Sequence, residues 1–96
     1  MTAYLIARME ITDTERYSDY GAKARALFAK HGGRYVAGGG AETLEGPEEK
    51  RRIALIAFPD RAAAEAYYND PDYEPVRAIR WEATQSELIL IDGYEG

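Results

Sequence analysis

At 96 residues the chain carries apolar surface for one core, so a single domain spanning 1–96 is expected. A 46% hydrophobic and 30% charged composition is that of an ordinary folded globular protein and excludes a disordered chain. The absence of cysteine excludes disulfides, thiolate metal sites and a cysteine nucleophile, and a net charge of -5 opposes the counterion release that drives nucleic-acid binding.

The first residues, Met1-Thr2-Ala3-Tyr4-Leu5-Ile6-Ala7-Arg8, carry no basic leader before an apolar stretch, so no secretion signal is expected. No apolar run approaches the roughly 20 residues that span a bilayer, and a cytoplasmic, membrane-free protein is the expectation. Ala3 to Ile11 is rich in strand formers and leads to Thr12-Asp13-Thr14-Glu15, where Thr12 and Glu15 have capping-box spacing. From Glu15 to His31, Tyr17, Tyr20, Ala24, Leu27, Phe28 and His31 fall on one helical face, and Gly32-Gly33 supplies the stop. Arg34 to Glu45 reads as a strand interrupted by Gly38-Gly39-Gly40, with a bulge or bend expected at the glycines. A solvated turn, Gly46 to Lys50, then completes a hairpin with Arg52 to Phe58. Pro59-Asp60 caps a second helix, Arg61 to Asn69, which Asp70-Pro71 breaks. A third helix, from about Asp72 to Ala83, tolerates Pro75 in its first turn, and Glu87 to Asp92 is the last strand.

The order is β-α-β-β-α-(α)-β, which predicts a ferredoxin-like α+β fold: four strands in one antiparallel sheet, with helices on one face. An antiparallel sheet with one wet face should alternate apolar and polar residues. Leu5-Ile6-Ala7, Ile53 to Phe58 and Leu88 to Ile91 are instead continuous apolar runs, so both faces need cover. Helices can cover one. A second copy covering the other makes a homodimer, a dimeric α+β barrel.

The string His31-Gly32-Gly33-Arg34-Tyr35, followed by Glu45-Gly46, Phe58-Pro59, Ala64, Tyr67-Tyr68-Asn69, Tyr73, Arg80 and Asp92-Gly93, resembles the family catalogued as domain of unknown function 1330. The resemblance covers nearly the whole chain, and the charged run Glu48-Glu49-Lys50-Arg51-Arg52 departs from it. It implies a dimeric α+β barrel, the superfamily that also holds antibiotic-biosynthesis monooxygenases, muconolactone isomerase and chlorite dismutase. It implies no activity, because a shared fold is only an analogy for function.

His31, the one histidine, fits an acid or base near neutral pH, and equally a helix end, where imidazole meets free carbonyls and the dipole. Haem ligation by His31, in the manner of the chlorite dismutases, is disfavoured by a chain too short to house the macrocycle. Arg52 and Arg80 each adjoin apolar sequence, and a guanidinium beside a cleft can grip a carboxylate or enolate through paired hydrogen bonds. Glu45, across the proposed hairpin, is an alternative ion-pair partner for Arg52. Tyr17, Tyr20, Tyr35, Tyr67, Tyr68 and Tyr73 suit a pocket lining or a dimer interface, since phenols pack and still donate hydrogen bonds. The triple glycine lacks the Lys-Ser or Lys-Thr of a phosphate loop, Ser18 and Ser86 lack elbow glycines, and Glu48-Glu49 in a turn make no metal site.

The expectation is therefore a cofactor-independent enzyme acting on a small polar or anionic organic molecule in a cleft between helices and sheet. In it His31 or Glu45 moves a proton, Arg52 and Arg80 hold charge, and Tyr20 and Tyr68 orient the ligand. A non-catalytic binding dimer and a purely structural dimer fit the same residues.

Overall fold

In the computed structural model, which describes residues 1–94, the elements are β1 (Ala3–Ile11), α1 (Thr14–Lys30), β2 (Arg34–Gly40), β3 (Arg52–Phe58), α2 (Arg61–Tyr68), α3 (Tyr73–Ala83) and β4 (Thr84–Asp92). The strands form one sheet in the order β2-β3-β1-β4, every neighbouring pair antiparallel. This is the ferredoxin-like α+β arrangement expected from the sequence.

The helix boundaries follow local chemistry. Asp13, and not Thr12, caps α1, its carboxylate accepting from the Arg16 backbone N–H at 3.1 Å. Thr12 instead donates its hydroxyl to the Ala83 carbonyl at 3.1 Å, tying the start of α1 to the end of α3. Beyond the last turn, Gly32 takes φ 78, a left-handed conformation that costs glycine least. Asp60 caps α2 by accepting from the Ala63 N–H at 2.8 Å. Asp72 precedes α3 without a side-chain cap bond.

Two strand limits differ from expectation. β2 ends at Gly40, and Ala41 to Glu45 belong to the connection with β3, because the β3 ladder ends where Arg52 meets Gly40. The register shift falls at Val36, between Tyr35 and Ala37, ahead of the glycines. β4 begins at Thr84, earlier than Glu87: β1 supplies ladder partners for Thr84, Gln85 and Ser86 at Ile11, Glu10 and Met9. Backbone pairing recruits polar residues that carry no strand signal of their own.

Ala3, Leu5, Ala7 and Met9 of β1 and Ala54, Ile56 and Phe58 of β3 point beneath the helices and are buried. On this side Tyr67, Tyr73 and Phe58 form the densest part of the core, with the Tyr67 and Tyr73 ring centroids 4.6 Å apart. Burying each such aromatic is worth about 1.5–3 kcal/mol. The alternate residues, among them Ile6, Ile53, Leu55, Ile89 and Ile91, form the other face, which no helix of the described residues covers. There Ile89 is 43% and Ile91 46% exposed. The sheet is thus apolar on both sides but packed on one.

Candidate functional site

Between α1 and the packed face of the sheet lies a cleft of about 530 Å³. It stays open because the facing residues are small: Gly21 and Ala24 on α1 oppose Ala7 of β1 and Ala54 of β3, and α1 rests on α3 and β2. Leu5, Ile56 and Leu88 make an apolar floor, and Phe28, Tyr20 and Tyr67 close the buried end. Exposed Arg25, Tyr35 and Arg52 stand at its rim, with half-buried Tyr17 between.

The rim is built from two strands and a helix. Arg52 opens β3 in register with Met9, which turns it toward the helices. The Tyr35 ring lies over Gly38, where a β-carbon would overlap its hydroxyl, and Arg25 of α1 stacks on the same ring at 5.0 Å. Burial raises the Tyr17 phenol above its ordinary value and Tyr35 adds to the rise, while the Arg52 guanidinium, hydrogen-bonded to it, pulls the other way.

At the buried end the Tyr20 and Tyr73 hydroxyls are 2.8 Å apart, and the Tyr67 hydroxyl lies within looser reach of both. Burial, then the neighbouring phenols, hold Tyr20 and Tyr67 far above an ordinary phenol, so both stay protonated at any physiological pH. The charge of Arg80 opposes this at Tyr20. Arg80 is 3% exposed and its Nη1 donates to Ser86 Oγ at 2.5 Å. Its Nε has no acceptor, and no carboxylate of the described residues forms an ion pair with it. It lies behind the cleft wall.

The six candidate residues are thus divided. Tyr20 and Arg52 line the main cleft, with Arg80 behind Tyr20. Tyr68 lines a separate hollow of about 220 Å³ between α2 and β4, where Arg77 stacks on its ring at 5.0 Å. Leu5 and Leu88 border both spaces. Glu45 is exposed in the β2–β3 connection, and Arg52 faces Gly40 across the ladder in place of it. His31 is outside both linings; its Nε2 is 2.8 Å from Asp70 Oδ2, which also accepts from Lys30 Nζ at 3.0 Å. Asp70 Oδ1 accepts from the Asp72 N–H at 2.9 Å, so this buried carboxylate joins the end of α1 to the α2–α3 turn.

Sequence reasoning missed Arg25 and Asp70. The only signal for Asp70 was an acidic residue in a helix break; its partners lie 39 and 40 positions away. Among the described residues no three metal-ligating side chains converge, and no helix is long and apolar enough to cross a membrane.

The fold is of the ferredoxin-like α+β class and is one that known structures share. A protein of unknown function from Rhodopseudomonas palustris superposes with TM-score 0.80 at 22% identity, covering 99% of this chain and 84% of that one. SnoaB, a cofactor-independent oxygenase from Streptomyces nogalater, does so with TM-score 0.73 at 14% identity over 99% and 95% of the two chains. A dimeric ferredoxin-like protein of unknown function from Jannaschia sp. CCS1 gives TM-score 0.74 at 17% identity over 97% and 100%. At these identities the likeness is one of fold. No curated protein matches the sequence. The family model of the Domain of unknown function (DUF1330) matches residues 2–94, and the chain belongs to that family.

Proposed function

We propose that the protein binds a small, largely apolar organic anion in the cleft under α1. One observation carries this reading: in a protein of net charge -5, the cleft lining holds Arg25 and Arg52 and no aspartate, glutamate or histidine. Apolar walls with few polar groups suit a planar carbon skeleton, and the rim guanidiniums suit its acidic group. With no carboxylate or imidazole on the walls and the Tyr20 and Tyr67 phenols held protonated, the cleft favours a ligand that is already ionised over one that the protein must deprotonate. The fold likeness to a cofactor-independent oxygenase is compatible with chemistry on such an anion. The working unit in this reading is a homodimer joined by the uncovered sheet faces, supported by half-exposed Ile89 and Ile91 and by the dimeric neighbour.

The test is calorimetric titration with aromatic carboxylates against their neutral amides. The acids are expected to bind at least about tenfold tighter than the amides, and Arg52→Gln to lose most of that preference. Equal affinity for acid and amide would end this reading. Mass spectrometry of the same mixtures separates turnover from retention.

A further inference from the structure

The buried end of the cleft gathers three phenolic hydroxyls in front of a buried guanidinium whose Nε–H has no acceptor. Tyr20, Tyr67 and Tyr73 bring one O–H each, and the Tyr20–Tyr73 pair, at 2.8 Å, is the one contact among them with full hydrogen-bond geometry. In that pair one hydroxyl donates and the other's proton remains uncommitted. The Tyr67 hydroxyl makes only looser contacts. Behind them Arg80, 3% exposed, leaves Nε–H without an acceptor and its charge without a carboxylate among the described residues. Unsatisfied donors and an unpaired cation are costly in a low-dielectric interior, and the economical remedy is an oxygen that bears negative charge. Tyr73 and Tyr67 are fully buried, whereas Tyr20 is 9% exposed and lines the cleft, so the spare donor is offered on the ligand's side.

We infer that this end of the cleft is an oxyanion site: Tyr20, oriented by Tyr73 and backed by the charge of Arg80, donates a hydrogen bond to the oxygen of a phenolate or enolate. The inference rests on the cleft being a ligand site and deepens it by naming the ligand class. Tyr20 touches the oxyanion; Tyr73 and Arg80 are positioning residues. Burial keeps Tyr20 protonated, so it remains a donor to the anion and does not become a competing anion itself.

The experiment uses 4-nitrophenol, whose phenol and phenolate forms absorb differently, with benzoate as a second ligand. The wild-type protein is expected to bind the phenolate about tenfold or more tighter than the phenol, lowering the pH at which bound probe ionises. Tyr20→Phe should remove most of that displacement. Tyr73→Phe and Arg80→Gln should reduce it, whereas a merely structural role would change stability and leave the ionisation of bound probe where it was. Circular dichroism checks each variant, and Tyr20→Phe carries the test if Tyr73→Phe does not fold. Wild-type binding of benzoate without 4-nitrophenol, or an ionisation displacement retained in Tyr20→Phe, overturns the oxyanion site and leaves the cleft reading standing. Failure of both ligands to bind overturns the two together.

Discussion

Asp70 is a carboxylate in the turn between α2 and α3, 9% exposed, and His31, the Asp72 backbone N–H and Lys30 hold it well below the ordinary carboxylate range. A folded-state value below the unfolded one, which is about 3.9, means that its contribution is complete above that pH and is lost as the pH falls toward the folded value. Thermal melts should therefore show stability declining below about pH 4. Asp70→Asn should melt lower than wild type at neutral pH and show a shallower acid decline. An unchanged acid slope in that variant would remove Asp70 from the explanation. The same contact explains why His31 was legible as a residue but not in its setting. A histidine in a last helical turn can be read from sequence, but the aspartate that engages it comes from another element, and only the packing of α1 on α3 brings them together. Tyr20 was legible from the helical period and Arg52 from the apolar run it adjoins; Arg25 was not, because its stacking partner Tyr35 arrives through the turn after α1.

At the scale of elements, all three helices begin after an aspartate, and Asp13 and Asp60 bond as caps whereas Asp72 does not. Asp60→Ala removes a side-chain acceptor for the Ala63 N–H and should cost about 1 kcal/mol, a melting-temperature loss of about 4–8 °C in a domain of this size. Asp72→Ala, with no cap bond to lose, should change the melting temperature far less. Equal losses in the two variants would show that the cap contact is not what matters. Element order and type were readable throughout, since hydrophobic periodicity and caps are local. The failures were at limits that pairing decides. Ala41 to Glu45 had strand-like sequence but no ladder partner, while Thr84-Gln85-Ser86 had a partner in β1 and no strand-like sequence. A cleft between helices and sheet was expected, but its lining was not readable, because an opening bounded by facing small residues, Gly21 and Ala24 against Ala7 and Ala54, depends on which surfaces the tertiary fold opposes.

Over the described residues, the thin axis of 15 Å, against 37 and 31 Å for the others, reflects one helical layer on one sheet. The open face carries Ile6, Ile53, Leu55, Ile89 and Ile91, and its rim carries Arg51 bonded to Glu49 and Glu87, with Glu49 lowered to about 2 chiefly by Arg51's hydrogen bonds. Ile89→Lys with Ile91→Lys puts two charges on this face, and if the proposed homodimer forms there the wild type is expected to sediment as dimers and the variant as monomers. A wild type that sediments as a single subunit would break the proposed assembly. Lateral growth of the sheet is discouraged separately. β2 is the outermost strand on its side, and its unpaired peptide groups would otherwise invite a further chain to add on. A register shift at Val36 and the positive φ of Gly39, 127, within the run Gly38-Gly39-Gly40 spoil the flat template that such addition requires. This bias against an open-ended ribbon favours the proposed assembly, in which two copies stack sheet on sheet and the geometry closes after two subunits.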